Sequence, residues 1–205
     1  VREGFPYILT LALPAIVLVA FGYWKAATVF ALLTLAMAFF FRDPKRNPPA
    51  DVNAVVAPAD GRVTRVSRVS SEGADSSTLV SIFLSPLDVH INRAPIAGVI
   101  RDVSYMPGKF LMATSDRASL VNEQNALTID GERITVVCKQ IAGILARRVV
   151  CWKKKGDRLS LGERFGLIKF SSRTDVASKF RCVVRAMQCL AKVKSMRESS
   201  STQVR

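Results

Sequence analysis

The sequence predicts a mainly β domain, barrel-sandwich-like in character, carried behind an N-terminal transmembrane helical hairpin. Three observations point there. Two uncharged apolar runs follow one another between Phe5 and Phe41, and a proline-rich stretch then breaks the chain. Beyond it, short runs rich in Val, Ile and Thr alternate with turn residues.

Phe5 to Tyr23 is an apolar run of 19 residues and Ala26 to Phe41 one of 16. Hydrocarbon about 30 Å thick takes roughly 20 helical residues at about 1.5 Å each, so the first run fits and the second is short. Trp24 and Lys25 suit an interfacial turn between them. Arg2 precedes the pair and Arg42, Lys45 and Arg46 follow it, which by the positive-inside bias puts both ends in the cytoplasm. A cleavable signal peptide fits worse, having a shorter apolar core and no second run after it. These residues, 1–42, are expected to form a membrane anchor on the cell (inner) membrane.

Asp43 to Pro49 carries three prolines, which remove backbone donors and forbid regular structure, so 43–51 reads as a linker. From Val52 the β-type runs are Val55-Val56, Arg62 to Val69, Thr78 to Leu84, Val99 to Tyr105 and Ile134 to Cys138. Asp60-Gly61 and Asp130-Gly131 are hairpin-turn signals, and Arg117 to Asn125 is the place for a short helix or an irregular excursion. This β-rich domain is expected over 52–176. After it, Ala177 to Met196 spaces Val183, Val184, Met187, Leu190 and Val193 among basic residues, the pattern of an amphipathic helix within a tail of 177–205.

Composition narrows the function. A chain of 205 residues that is 49% hydrophobic and 22% charged is not a disordered one. Its net charge of +14 would attract polyphosphate or an anionic membrane surface alike. Eight Lys/Arg lie between Arg173 and Arg205 against Asp175 and Glu198, yet no RNA-binding signature accompanies them, so no nucleic-acid partner is expected. Cys138, Cys151, Cys182 and Cys189 form no C-x-x-C pair, and one histidine is too few for a zinc site, so no metal is expected and the thiols read as reduced.

Three stretches look unlike plain structure. Val55 to Gly61 ends a strand-like run in an acidic turn that presents Asp60, where a carboxylate that caps backbone donors is the ordinary outcome. Phe83 to Gly98 holds the only histidine, His90, and a lone histidine is more often structural than catalytic. Gly162 to Asp175 runs an apolar strand into Ser171-Ser172, a pair that means little alone.

Taken in order, VVAPADGRV (55–63), LSPLDVHINRAPIAG (84–98), PGKFLMA (107–113), ASLVNEQN (118–125), QIAGILARRVVCW (140–152) and GERFGLIKF (162–170) resemble the compact bacterial and archaeal phosphatidylserine decarboxylases. The resemblance covers Phe41 to Val176 and implies a self-processing proenzyme. A serine hydroxyl attacks the carbonyl before it, an ester forms, and elimination splits the chain into a large β and a small α chain, leaving the serine as a covalent pyruvoyl cofactor. By position that serine is Ser172 and the cut falls between Ser171 and Ser172. A serine hydroxyl needs a base and the oxyanion needs donors. The resemblance places His90 as base or proton shuttle, oriented by Asp60, with Arg93 and Lys109 as candidates for the lipid phosphate and serine carboxylate. The implied reaction converts phosphatidylserine to phosphatidylethanolamine and CO2. A decarboxylase of archaetidylserine or another serine lipid, and an unprocessed, non-catalytic membrane-bound relative, are the alternatives.

The chain departs from the family pattern twice. Ser171 stands where the family has glycine, and its Cβ restricts the backbone angles around the carbonyl to be attacked, which predicts slow cleavage or none. The tail after Val176 does not align with the family's closing strands, and a sheet without them would expose an edge.

Overall fold

The computed structural model describes residues 2–51, 54–69, 77–113, 115, 117–144, 148–169, 172–178 and 193–194. The chain divides into two compact units, one of residues up to Lys45 with Pro86–Val89 and one of Arg46–Ser85 with His90 onward.

The first unit is a helix pair. A short 3-10 turn, Arg2–Gly4, leads into α1 (Phe5–Ala20), and α2 (Trp24–Phe40) follows. The connection is Phe21 to Tyr23, with Gly22 at φ 78°, so Trp24 and Lys25 belong to the first turn of α2 and not to the turn itself. No residue of α1 is buried, and Leu13, Ile16 and Val19 are exposed. The hydroxyls of Thr10, Thr28 and Thr34 each donate to the carbonyl four residues back, at 2.7, 2.9 and 2.8 Å. These three hydroxyls are thereby satisfied without water. The helices are tied where they meet: Tyr7 stacks on Phe41 with ring centroids 5.5 Å apart, and Phe41 meets Phe40 edge-on at 5.0 Å. Arg2–Ala20 is long and apolar enough to cross a membrane, and α2, at 17 residues, is shorter.

The second unit is mainly β, as the sequence predicts. Its strands are β1 (Gly61–Val69), β2 (Ser77–Leu84), β3 (Ile91–Arg93), β4 (Gly98–Met106), β5 (Gln124–Asp130), β6 (Thr135–Ala142), β7 (Val149–Cys151), β8 (Arg158–Leu159), β9 (Arg164–Ile168), β10 (Ser172–Ser178) and β11 (Val193–Lys194). One sheet has the order β11-β1-β2-β10-β6-β5-β4-β8 and the other β3-β9-β7. A helical turn, α3 (Ala118–Val121), falls inside the expected excursion, although Gln124 and Asn125 already belong to β5. The core gathers apolar residues from both sheets, among them Val80, Ile82, Leu127, Ile129, Phe165 and Val176.

Several local expectations are corrected. Val55 and Val56 are buried but lie outside any strand; the Val56 N–H donates to the Pro95 carbonyl at 2.9 Å, a loop contact rather than a ladder. Asp60-Gly61 opens β1 instead of joining two strands, whereas Asp130-Gly131 does sit in a hairpin, between β5 and β6. Of the stretch read as an amphipathic helix, Ala177 and Ser178 complete β10, and Val193-Lys194 pair in parallel with Gly61 and Arg62. Residues 179–192 and 195–196 lie outside the described residues. β11 therefore covers part of the β1 edge that the sequence left open.

Cys138 lies in the core and Cys151 is half-buried against it, matching their reading as small apolar fillers; Cys182 and Cys189 lie outside the described residues. Burial, then the nearby Asp175 carboxylate and Cys151, push the Cys138 thiol far up. Cys138 is thus expected to resist alkylation in the folded protein at pH 8 and to react on denaturation, which peptide mass mapping of the labelled chain will check.

Candidate active site

β10 is the centre of the site. It lies between β2 and β6, with Ser172 opposite Leu84 on one side and Ala142 on the other, and all its residues but Ala177 are buried. Strand alternation sorts its side chains. Ser172, Thr174 and Val176 share one face, and Val176 belongs to the core between the sheets. Arg173 and Asp175 share the other, where the guanidinium grips the carboxylate through two bonds of 2.8 Å, both side chains being only 6% exposed. A one-residue slip would carry this charge pair into the apolar core, so the pair holds Ser172 on its face.

Ser172 is wholly buried, and its hydroxyl has no hydrogen-bond partner among the described residues. Ser171 lies outside the described residues.

The three-stranded sheet is joined to β10 by a buried amide chain. Asn125 Nδ2 donates to Gln140 Oε1 at 3.1 Å, Gln140 Nε2 to Asn92 Oδ1 at 2.8 Å, and Asn92 Nδ2 to Thr174 Oγ1 at 3.0 Å. Asn92 on β3 therefore reaches across to Thr174 on β10. His90 and Ser172 each stand two residues before a member of that contact, and both are buried. His90 lies immediately before β3 and Ser172 opens β10, so the two segments approach from the two sheets through the Asn92–Thr174 contact. The His90 carbonyl accepts the Ile168 N–H at 3.2 Å, fixing the histidine beside the end of β9.

Asp60 is bound by a residue of the proline-rich stretch. Its Oδ2 takes a hydrogen bond from Arg46 at 2.5 Å, and the carboxylate is largely buried. Gly61, at φ 150°, makes the turn that sets Asp60 there, and a Cβ on it would strike the Phe83 carbonyl. The Arg93 N–H donates to the Pro58 carbonyl at 2.8 Å, so the acidic turn and the histidine strand are neighbours in the fold. Arg93 Nη1 donates to the Gly162 carbonyl at 3.2 Å. Lys109 is exposed at the base of the β4–β5 excursion, paired through its backbone with Asn122. The structure thus brings the segments of Ser172, His90, Asp60 and Arg93 toward one layer, and sets Lys109 on a surface loop.

Sequence reasoning missed the amides and Arg46. Asn92, Asn125 and Gln140 were legible as polar residues inside apolar runs, but their mutual bonding spans up to 48 residues of chain and leaves no local trace. Arg46 was read only as a flanking charge. The amide chain depends on Gly166, whose Cβ position lies 2.8 Å from Gln140 Nε2 and against the Val150 carbonyl. Gly166→Ala is expected to displace Gln140, orphan its partners and cost about 1–3 kcal/mol, seen as a lower urea midpoint for the full chain in detergent.

The mainly β unit buries both its single histidine, His90, and the Ser172 hydroxyl. The phosphatidylserine decarboxylase family model matches residues 33–194. Curated relatives named phosphatidylserine decarboxylase proenzyme include that of Geobacter sulfurreducens, 47% identical over 183 residues, covering 85% of this chain and 83% of the relative. That of Geobacter metallireducens is 44% identical over 190 residues, 89% of this chain and 87% of the relative, and that of Ralstonia pickettii 43% over 179 residues, 85% and 82%. The chain belongs to the phosphatidylserine decarboxylase family.

Proposed function

We propose that this protein is a self-processing phosphatidylserine decarboxylase that makes phosphatidylethanolamine and CO2, with Ser172 as the source of its pyruvoyl group. The observation that carries the reading is the Ser172 hydroxyl, wholly buried at the head of β10 and without a partner among the described residues. Such a hydroxyl is available for reaction because no hydrogen bond must be broken first. The site also fits the group it would become: the Ser172 oxygen departs with the Ser171 carboxylate and Cβ becomes a methyl, and losing that hydroxyl breaks no hydrogen bond that the described residues make.

In processing, His90 takes the Ser172 proton as the oxygen adds to the Ser171 carbonyl carbon, and the bond from that carbon to the Ser172 nitrogen breaks as the ester forms. Elimination then frees the Ser171 carboxylate, separates a large β chain from a small α chain and leaves residue 172 as a dehydroalanine amine, which water hydrolyses to the pyruvoyl group with loss of ammonia. When present, the pyruvoyl group supplies the electron sink for loss of CO2. His90 then delivers a proton to the carbon that held the carboxylate, which completes the headgroup of phosphatidylethanolamine. Asp60, with Arg46 on its outer oxygen, places a compensated negative charge near the histidine segment. Arg93 and Lys109 serve the lipid phosphate and serine carboxylate.

The helix pair is the membrane anchor of the enzyme, and the flanking basic residues orient the catalytic unit toward the cytoplasm. Its support is the unburied apolar surface of α1 and the inward satisfaction of the threonine hydroxyls. The β unit is then the barrel-sandwich-like catalytic domain, expected over 52–176, with β10 running on to Ser178 and the Val193-Lys194 pair of the 177–205 tail adding to its sheet.

The test is incubation of the full chain in mixed micelles with phosphatidylserine or archaetidylserine. Phosphatidylserine should release CO2 and yield an equal amount of phosphatidylethanolamine. Turnover of archaetidylserine alone would move the chain to the sibling activity, and no turnover of either by a processed chain would sink the reading.

A further inference from the structure

The excursion between β4 and β5 shows an apolar surface that the catalytic reading does not use. Met106, Phe110, Leu111, Met112, Leu120 and Val121 are all exposed, Met112 at 62% and Leu120 at 74%. They are gathered by the base of the loop. The Lys109 N–H donates to the Val121 carbonyl at 2.7 Å and the Glu123 N–H to the Lys109 carbonyl at 3.0 Å. Asn122 bonds both the N–H and the carbonyl of Leu111, at 2.9 and 2.8 Å. The apolar tip is therefore held by a rigid stem rather than left as a loose connection.

That stem is fastened to the site. The second proton of the Asn122 amide goes to the Ala142 carbonyl at 2.7 Å, and Ala142 is the β6 residue opposite Ser172. A cluster of large apolar side chains in water is unfavourable, and on a folded monomer it marks a binding surface. In sequence the excursion carries Lys109, Asp116 and Arg117, one net positive charge on a chain whose net charge is +14. Apolar tips flanked by cations match a leaflet of anionic phospholipid, with side chains entering the acyl boundary and cations at the headgroups.

We infer that the 106–121 excursion is a bilayer-inserting element of the catalytic unit, distinct from the helix pair, that meets an anionic phospholipid surface and brings it to the Ser172 site. The inference rests on the decarboxylase reading for its purpose, but not for its existence. A lipid substrate need not leave the bilayer completely when the loop tied to the reactive strand dips into the same leaflet.

Two arms test it, both on the full chain in nanodiscs of phosphatidylserine and phosphatidylcholine. In the first, Leu120→Trp is made with Trp24→Phe and Trp152→Phe, and its fluorescence is read with brominated acyl chains or with acrylamide. Strong quenching by brominated lipid and little by acrylamide is expected. Quenching by acrylamide alone overturns the inference, and shielding from both assigns the patch to a protein contact and overturns it equally. In the second arm, Met112→Ser with Leu120→Ser should lower kcat/KM about tenfold on bilayer phosphatidylserine and leave turnover of a monomeric short-chain phosphatidylserine within about twofold. An equal loss on both forms would place the residues in the site itself and overturn the role given to them. Lipid quenching in a chain that turns over neither form would keep the surface contact and refute the decarboxylase reading.

Discussion

Ser172→Ala is expected to leave a single uncut chain of 22.5 kDa that releases no CO2. The substitution is unusually clean on physical grounds. The Ser172 oxygen is wholly buried and engages no partner among the described residues, so alanine removes a nucleophile without orphaning a group, and β10 keeps its backbone pairs on both sides. Far-UV circular dichroism should therefore match the unaltered protein, while intact-mass analysis loses its two products. Those products, in the unaltered protein, are a β chain ending at Ser171 and an α chain of 172–205 with a blocked N-terminus. Ser171→Gly should shorten the half-time of cutting, because the added backbone freedom opens the carbonyl to attack. Activity surviving in Ser172→Ala would move the cofactor elsewhere. A chain that stays whole both as it is and with Ser171→Gly would place the fault in the tail.

His90→Gln should slow processing by about 10²–10⁴-fold, the usual worth of a positioned acid or base. Glutamine keeps a polar side chain of similar reach in a residue that is 1% exposed, so the unfolding midpoint serves as the control for a merely structural histidine. A lowered midpoint with normal cutting would make His90 a packing residue; a normal midpoint with slow cutting makes it the base. Because the chain contains one histidine, the same variant should also depress turnover in whatever fraction does mature.

The sequence disclosed what depends on local pattern. The apolar runs became α1 and α2 within a few residues, and four of the five β-type runs became strands, because helix and strand periodicities are written in neighbouring positions. Val55-Val56 failed since burial came from a loop crossing to Pro95, a contact that a two-residue apolar run cannot announce. The site was legible as motifs but not as a mechanism of assembly. Asn92, Gln140 and Thr174 meet only because β3 crosses β10, and Arg46 finds Asp60 across 14 residues of chain that include the proline-rich stretch. The helical pattern near the C-terminus misled at Val193, where pairing with Gly61 outweighs the local spacing.

The position of β10 has a further consequence for the lifetime of the mature protein. Seven residues of β10 are laddered to β2 and the same seven to β6, so the strand is clamped along both edges from its first residue. A cut placed immediately before it severs connectivity without loosening the fold. Among the described residues, β10 has no free edge from which to peel, so pulling it out amounts to unfolding the sheet. If the chain is cut before Ser172, maturation would act as a ratchet: two chains would inherit a topology that one continuous chain had to find, and once parted in denaturant would have no ready route back.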